Sequence, residues 1–551
     1  GNRAPPGAPW PLPREWENST QTLTLDKTSF NFKSNINCDI IDEAFKRYKD
    51  YVFIDPSGRP GNGDKLEGID LNIKSPCKVN GYPSAEENES YTISISVGKR
   101  GSIEAETVWG ALRGLETFSQ LIWLTNEKFL QVNVTTIRDW PRFSYRGIMI
   151  DTARHYQPLP IIYKNLDAME QNKFNVLHWH IVDDQSFPYV SRTFANLSSL
   201  GAYSQKHLYT QKDVADIIQY ARMRGIRVIP EFDTPGHTIG FSKAFPDLLT
   251  PCWGDGKTPY TPNYPEHAPA EILNPIQNYT YDFLRTFFSE IVDVFPDPFK
   301  HMGMDEVYYA CWKSNPNITE FMSQNGMTGY NQLEQYYAQK LLNIMEELGS
   351  KYMIWQEPID NNVTLQKDAI VNVWKDTYLN PNKPFDKWQN YISRIAKKGY
   401  KIVLAAPWYL NYIAYGYREM WMKYYETEPL DFEGTDEEKK LVIGGQACLW
   451  AEYVDGTNLL SRMWPRASAV GERLWSAREV NDSNSAAFRL DQHRCRMVNR
   501  GIPAQPILNG YCGDYEYGMD KETPVSASYK NIINTHVFVV VLLNVLTTSI
   551  I

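Results

Sequence analysis

Eight short apolar runs, each ending in a cluster of polar residues, recur between residues 145 and 452 and constrain the fold more than any other feature. The runs are YRGIMIDTAR (145–154), NVLHWHIVDD (175–184), IRVIPEFDTPGH (226–237), FKHMGMDEV (299–307), YMIWQEP (352–358), IVNVWK (370–375), KIVLAAPWYL (401–410) and IGGQACLWAE (443–452). They are almost continuously apolar, as is typical of parallel strands that are covered on both faces. Helical sequence separates most of them. Eight strand–helix units predict a (β/α)8 TIM barrel of the α/β class.

The length of 551 residues exceeds what one hydrophobic core usually holds, so a second, smaller domain is expected. Residues before the barrel read as an α+β unit, because ESYTISISVG alternates like a strand and ETVWGALRGLETFSQLIW has helical spacing. Between the fifth and sixth runs, residues 359–369 leave no room for a full helix. We expect an N-terminal tail (1–14), an α+β domain (15–138), the catalytic barrel (139–510), a C-terminal segment with a polar spacer (511–534) and a hydrophobic tail (535–551).

The charge balance excludes some classes of partner. The chain carries 56 basic and 65 acidic residues, a formal net charge of −9, with no basic block. Such a chain is a poor match for nucleic acid or for an anionic membrane surface. It is rich in aromatic residues, with 16 Trp and 35 Tyr, which suits a site that stacks flat apolar faces such as those of sugars.

Two features predict a protein of the secretory pathway. Asn-x-Ser/Thr sequons, the acceptors of N-glycans, are spread along the chain. They are Asn18, Asn88, Asn133, Asn196, Asn278, Asn317, Asn362 and Asn481. Six of the seven cysteines bracket local loops, and we expect the pairs Cys38–Cys77, Cys252–Cys311 and Cys495–Cys512, although sequence does not prove connectivity. Cys448 lies inside an apolar run and is expected to be a buried thiol.

The C-terminal residues 535–551 are apolar but shorter than the ~20 residues that a membrane-spanning helix needs. A polar spacer precedes them, with the small residues Ser526, Ala527 and Ser528 further upstream. This order is typical of a signal for a glycosylphosphatidylinositol (GPI) anchor, which is our expectation. A hydrophobic strand or frayed tail is the alternative, and a lysosomal or secreted enzyme would then be expected instead of one attached to the cell surface.

The polar residues that follow the eight runs have the chemistry of a sugar site. In a TIM barrel the active site lies at the carboxyl ends of the strands. Several carboxylates, an arginine, a tyrosine and three or four tryptophans fall there. A metal site is the alternative interpretation of His178 and His180, which share one strand face. His237 and Asp305 could supply further ligands, but no strand end after these offers a histidine and no bridging lysine is present. We expect both histidines to be hydrogen-bonded inside the barrel, and we expect no metal and no cofactor.

The motifs IDTARHYQPL, LHWHIVDDQSFPY, PEFDTPGHT, HMGMDEV, IWQEP, PWYLN and LWAEYVDGTNL occur in the order found in glycoside hydrolase family 20. The chain resembles the β-N-acetylhexosaminidases of that family, most closely the animal lysosomal and secreted enzymes. The resemblance covers the barrel from about residue 140 to 510, and the first 140 residues resemble the α+β domain that precedes it.

The resemblance implies a retaining mechanism without a protein nucleophile, which is one of the exceptions to the two-carboxylate scheme of glycosidases. The substrate's own 2-acetamido oxygen attacks the anomeric carbon and gives an oxazolinium intermediate. Glu306 would be the general acid and base, and Asp305 would orient the acetamide. The implied substrate-binding residues are Arg154, Tyr409, Trp355, Trp374, Trp450, Glu452, Asp183 and His237. Asp151 and Asp184 are interpreted as residues with structural loop contacts.

Met304 stands where the family often has a small residue, and its side chain is expected to point away from the site. Asn411 and Tyr412 follow the PWYL motif at a position that affects the acceptance of charged sugars in related enzymes. Substrates ending in β-linked GlcNAc or GalNAc are expected on glycans, glycolipids or chitooligosaccharides, and a homodimer is expected. The alternative function is a catalytically inactive sugar-binding protein of the cell surface on the same fold.

Overall fold

A computed structural model of the protein describes residues 4–377, 387–414 and 420–519. The predicted GPI signal, residues 526–528 and 535–551, lies outside the described residues. Within them, no helix combines the length and the apolar character that crossing a membrane requires.

The eight predicted runs form eight parallel strands that close into a barrel in the order β10-β13-β14-β15-β16-β17-β8-β9. The predicted fold class is confirmed. These strands are β8 (Tyr145–Asp151), β9 (Val176–Val182), β10 (Arg227–Thr234), β13 (Phe299–Gly303), β14 (Lys351–Trp355), β15 (Ile370–Val373), β16 (Lys401–Leu404) and β17 (Val442–Leu449). Most of their side chains are buried, which accounts for the continuous apolar pattern.

Helices cover the outside of the barrel. Between β14 and β15 the structure has only a short helix, α11 (Glu357–Asp360), in agreement with the expectation that no full helix fits there. The helices from the barrel region to the end of the described chain are α3 (Leu159–Gln171), α4 (Asn196–Gly201), α5 (Gln211–Arg222), α6 (Ile239–Ser242), α7 (Asn278–Val294), α8 (Tyr309–Ser314), α9 (Pro316–Gln324), α10 (Tyr330–Glu347), α11 (Glu357–Asp360), α12 (Trp388–Lys397), α13 (Met420–Glu426), α14 (Asp436–Lys439), α15 (Leu459–Met463), α16 (Arg466–Trp475) and α17 (Ser483–Asn499). A short hairpin of β11 (Leu249–Pro251) and β12 (Ala270–Leu273) follows β10.

The barrel interior is layered from an apolar floor to an aromatic top. The floor is built from Tyr145, Val176, Ile229, Phe299, Met353, Ile370 and Val403. A polar layer follows, in which the hydroxyl of Tyr145 donates to Gln446, and Gln446 donates in turn to Nδ1 of His178. The top layer contains Met149, Trp355, Ala405, Tyr409, Cys448 and Trp450. Cys448 is the buried free thiol that its apolar setting predicted.

The N-terminal domain is a mixed sheet in the order β1-β7-β4-β5-β3-β2, with β6 paired to β7. Two helices pack against it and share its core. The elements are β1 (Glu15–Thr24), β2 (Asn31–Ser34), α1 (Asp39–Val52), β3 (Gly68–Ile73), β4 (Tyr91–Ile95), β5 (Gly101–Ala105), α2 (Val108–Leu121), β6 (Trp123–Leu124) and β7 (Leu130–Asp139).

Buried ion pairs join the two domains. Glu89 of the N-terminal domain accepts from Nε of Arg113 at 3.0 Å and from a terminal nitrogen of Arg146 in β8 at 2.7 Å. All three side chains are at most 4% exposed. The first described segment also bridges the domains, because Trp10 is fully buried and bonds to Gln120 and to the backbone of α16. This segment falls within the expected tail.

The three predicted disulfide pairs are present in the structure: Cys38–Cys77, Cys252–Cys311 and Cys495–Cys512. The side chains of seven sequon asparagines are exposed. Asn133 differs, because it is half-buried and its amide donates to the backbone of Ser19 at 2.8 Å while accepting from Trp123.

Candidate active site

A cavity of about 220 Å³ opens at the carboxyl ends of the barrel strands. It brings together nine of the ten predicted catalytic and substrate-binding residues. Its lining residues are Arg154, His237, Asp305, Glu306, Trp355, Trp374, Tyr409, Asn411, Tyr412, Trp450 and Glu452. The tenth, Asp183, lies below the lining and contacts His237 and Arg154. The buried Met304 is not a lining residue and packs in the outer core.

A larger cavity, about 340 Å³, lies between the N-terminal domain and α17. Among its described lining residues Asp55 is the only carboxylate, and the guanidinium of Arg500 is paired with Glu116. This cavity is therefore poorer in acids than the smaller one, in which Asp305, Glu306 and Glu452 line the wall.

The backbone at the end of β13 separates the two adjacent acids. Gly303, Met304 and Glu306 all have positive φ angles, of 66°, 75° and 48°. Non-glycine residues in this region are strained and occur most often at functional sites. The consequence is that the Asp305 side chain is 7% exposed, whereas that of Glu306 is 60% exposed.

His237 connects both acids to a buried aspartate. Its Nε2 lies 3.5 Å from Oδ2 of Asp305 and 3.5 Å from Oε1 of Glu306, and its Nδ1 lies 3.1 Å from Oδ1 of Asp183. Burial alone would lower the pKa of His237, but the carboxylates of Asp183 and Asp305 raise this pKa well above its usual value. His237 is therefore an imidazolium that can donate from both nitrogens.

Arg154 is held from three sides by carboxylates. A terminal nitrogen lies 2.9 Å from Asp151 and 3.6 Å from Glu452, and Nε lies 3.2 Å from Asp183. Asp151 also accepts from the backbone N–H groups of Ala153 and Arg154, so it fixes the start of the loop. The guanidinium carbon sits 5.1 Å from the ring centre of Trp450, where the cation–π attraction adds to the ion pairs.

Four aromatic side chains form the wall of the cavity. Trp355 and Trp450 have ring centres 6.1 Å apart, and Trp374 is parallel to Tyr409 at 6.5 Å. The indole of Trp374 donates to both oxygens of Glu357, at 3.1 and 3.0 Å. Burial raises the pKa of Glu357 to about 8, with the charge of Asp305 adding to the shift and Lys375 opposing it.

Below the cavity floor, His180 lies between two buried carboxylates. Its Nε2 is 2.6 Å from Asp183, and its Nδ1 is 3.1 Å from Glu231, although the N–H of Nδ1 is not well aligned for a hydrogen bond. Burial would lower the pKa of His180, but the two carboxylates, Glu231 foremost, raise this pKa to about 10. His180 is therefore a buried cation between two anions.

Glu231 has further donors, His178 at 2.6 Å and the indole of Trp355 at 3.1 Å. The remaining nitrogen of His178 accepts from Gln446. Both histidines thus take part in the polar network of the barrel interior, in agreement with the sequence-based expectation for them.

Comparisons with known proteins agree with this geometry. Residues 143–478 match the family described as "Glycosyl hydrolase family 20, catalytic domain", and residues 9–121 match "beta-acetyl hexosaminidase like". The chain belongs to glycoside hydrolase family 20. It is 47% identical to human "Beta-hexosaminidase subunit beta" over 92% of this chain and 90% of that subunit. It is 46% identical to the rat "Beta-hexosaminidase subunit alpha", over 91% of this chain and 94% of the rat protein. The family-20 chain is thus a glycoside hydrolase of the β-N-acetylhexosaminidase type.

Solved structures of other family 20 enzymes share the fold. The chitobiase of Flavobacterium johnsoniae superposes with a TM-score of 0.77 at 29% identity, over 90% of this chain and 73% of the other. An exo β-N-acetylglucosaminidase of Vibrio harveyi, solved with N-acetylglucosamine, has a TM-score of 0.75 at 24% identity, over 92% of this chain and 79% of the other.

Four acids that contact this family 20 site were not assigned to it from the sequence. They are Asp151, Glu231, Asp233 and Glu357. Each lies at or near the end of a barrel strand, among the carboxylates that the sequence places there, but neither this position nor the family motifs assigned them a role in the site. Asp151 was instead interpreted as a loop contact. It does make such contacts, but it also positions Arg154.

Proposed function

We propose that this chain is a retaining exo-β-N-acetylhexosaminidase that removes terminal β-linked GlcNAc or GalNAc by substrate-assisted catalysis. The observation that carries the proposal is the pairing of a buried carboxylate, Asp305, with an exposed one, Glu306, around the single His237. A buried acid suits the inner end of a bound sugar, and an exposed acid suits the leaving group, which departs toward solvent. No protein nucleophile is needed in this scheme.

In the first step, the acetamido carbonyl oxygen of the substrate attacks the anomeric carbon. The glycosidic C–O bond breaks, and Glu306 gives its proton to the leaving oxygen. The product is an oxazolinium ion that stays bound in the site. Asp305 accepts a hydrogen bond from the acetamide N–H and stabilises the positive charge that develops on the acetamide.

In the second step, Glu306 has become a carboxylate and takes a proton from water, which attacks the anomeric carbon. The C–O bond to the acetamido oxygen breaks, and the acetamide and the protonated Glu306 are regenerated. Two displacements at one carbon give overall retention. His237, as an imidazolium 3.5 Å from both acids, can donate to either carboxylate while it is charged.

The remaining lining residues have binding roles in this proposal. Arg154 and Glu452 hold ring hydroxyls, since a guanidinium donates and a carboxylate accepts. Trp355, Trp374 and Trp450 enclose the acetamide and the apolar sugar face, and Tyr409 donates to the acetamide oxygen. Together they hold the acetamide in a position for attack, which lowers the entropic barrier of an intramolecular step.

Asn411 and Tyr412 line the same cavity at its exposed side. Neither carries a charge, so these two described residues supply no cation to attract a sulfated or sialylated sugar. Neutral terminal sugars are therefore the proposed substrates. The parent molecule can be an N-glycan, a glycolipid or a chitooligosaccharide.

Placement outside the cytosol is part of the proposal, and three disulfides and seven exposed sequons support it. GPI attachment and a homodimer stay predictions. Release of the protein from cells by a phosphatidylinositol-specific phospholipase tests the first, and the molar mass in solution tests the second.

The experiment for the activity is hydrolysis, between pH 4 and 7, of an aryl β-GlcNAc, chitobiose, a biantennary N-glycan and 6-sulfated GlcNAc. We expect turnover of the neutral substrates, inhibition by a thiazoline analogue of the intermediate, and loss of activity in Glu306→Gln. An inactive sugar-binding protein would bind these glycans without turnover. An unchanged rate in Glu306→Gln would exclude the proposed role of Glu306.

A further inference from the structure

Asp233 is a fully buried acid near the end of β10 that the proposed mechanism does not yet use. Its Oδ1 accepts a hydrogen bond from the backbone N–H of Met304 at 3.0 Å. Its Oδ2 and the Oδ1 of Asp305 are both buried, and within the described chain no donor group reaches either atom. Two orphaned acceptor oxygens of this kind are costly, because each loses its hydration without a replacement.

The two carboxyl groups belong to one cluster. Asp233, His237 and Asp305 each place a polar atom within 4.8 Å of the other two. Carboxyl groups this close in a buried site do not both ionise, since their charges repel in a low dielectric. One proton between them removes the repulsion and gives both orphaned oxygens a partner.

We propose that Asp233 keeps this proton and donates a hydrogen bond to Asp305, so that Asp233 is the positioning residue for the acetamide-orienting carboxylate. The inference deepens the proposed function and rests on it. It adds a neutral carboxylic acid to a site whose sequence motif shows only the adjacent pair.

The surrounding charges decide which partner carries the proton. Burial and the charge of Asp305 both raise the pKa of Asp233 well above its usual value. Burial would also raise the pKa of Asp305, but the imidazolium of His237 outweighs it and leaves that pKa lowered. The titratable groups that face Asp233 from the surrounding elements are Glu231, His237, His180, Asp305 and Tyr337.

The backbone is shaped for this close approach. A Cβ on Gly303 would lie 1.8 Å from Oδ1 of Asp233, and Gly303 has a φ of 66°. Only glycine meets both conditions at this position. The end of β13 is thereby brought against Asp233, with Met304 donating to Oδ1 of Asp233 and Asp305 in the same cluster of polar groups.

The consequence for the reaction is that Asp305 is held ionised and in one orientation before substrate binds. An ionised Asp305 is what a developing positive charge on the acetamide nitrogen requires. The donor must be neutral, because a second anion at Asp233 would push a proton onto Asp305.

Two substitutions test whether Asp233 acts as a neutral hydrogen-bond donor to Asp305 or only fills space. Asp233→Asn keeps a neutral donor for Asp305 and an acceptor for Met304, and we expect kcat to stay within about fivefold of the wild type, because no hydrogen bond is lost. Asp233→Val fills a similar volume without a donor, and we expect kcat to fall about 10- to 100-fold. The acidic limb of the kcat–pH profile should move to higher pH in Asp233→Val but not in Asp233→Asn, because the pKa of Asp305 rises when its donor is removed. The surface variant Asp216→Asn is the matched control.

The assay uses the full chain and an aryl β-GlcNAc, with thermal unfolding measured for each variant. Equal losses of kcat in Asp233→Asn and Asp233→Val would overturn the inference, as would a shifted acidic limb in Asp233→Asn. Asp233→Asn decides the question even where Asp233→Val does not fold. Loss of wild-type activity on treatment with EDTA would also overturn it, since a cation would then join the two oxygens. Absence of turnover by the wild type would instead defeat the proposed function itself.

Discussion

Nδ1 of His237 lies 3.1 Å from Oδ1 of the fully buried Asp183. Burial would raise the pKa of Asp183, but His237, Arg154 and His180 hold this pKa well below its usual range. Asp183 is therefore an anion at any working pH, and it keeps a proton on His237. The pair places a charged donor 3.5 Å from each of the two proposed catalytic carboxylates, Asp305 and Glu306.

Asp183→Asn tests this relationship through pH. Without the anion, the raised pKa of His237 falls, so the imidazolium that is present across the working range is lost first at neutral pH. We expect kcat/KM to fall about 10- to 100-fold at pH 7 and by a smaller factor at pH 4.5. A loss of the same size at both pH values would contradict the assigned role. The exposed variant Asp293→Asn serves as the control.

Arg154→Lys tests the hydroxyl-binding group. A lysine keeps the charge but lacks the planar fork that meets Asp151, Asp183 and Glu452 together. We expect kcat/KM to fall at least about 100-fold, from the loss of one or two charged hydrogen bonds. Arg192→Lys, at an exposed ion pair, should leave kinetics unchanged. A wild-type kcat/KM in Arg154→Lys would show that the ring hydroxyls are held elsewhere.

Glu89→Gln tests the ion pairs between the domains. The change leaves the buried guanidinium groups of Arg113 and Arg146 without their anion, and it retains the Asn88 sequon. We expect the free energy of unfolding to fall by about 3–5 kcal/mol, measured by denaturant titration. Glu43→Gln, at a solvent-exposed pair, should change it by less than about 0.5 kcal/mol. Similar values for the two variants would show that the buried pairs contribute no net stability.

Glu357 should make stability depend on pH. Its folded pKa of about 8 exceeds the ordinary value of 4.5, so between these values the folded state holds a proton that the unfolded chain has released. Stability from this group is therefore lost as the pH rises through the window. Between pH 5 and pH 8, the free energy of unfolding of Glu357→Gln should rise relative to that of the wild type by at least about 1 kcal/mol. Thermal unfolding at several pH values measures the difference. A difference in stability between the variant and the wild type that does not change with pH would contradict the raised pKa of Glu357.

The barrel could be predicted because all eight strands are buried on both faces and each ends in a polar cluster. The position of Arg154 and the aromatic wall follow from the same rule, since strand ends of a barrel converge. The arrangement of Asp305 and Glu306 could not be predicted, because three positive φ angles after β13 set their directions. The role of Asp233 was also hidden, because it depends on which oxygens are left without donors once β10 and β13 are side by side.

In the proposed reaction the substrate's acetamide, and not a protein group, is the nucleophile. The direct measurement is kcat/KM for aryl β-GlcNAc substrates whose N-acetyl group carries zero, one, two or three fluorine atoms. Fluorine withdraws electrons from the carbonyl oxygen, so we expect a steep, progressive fall in kcat/KM along the series, with no turnover of the corresponding aryl glucoside. Rates that do not change with fluorination would contradict it.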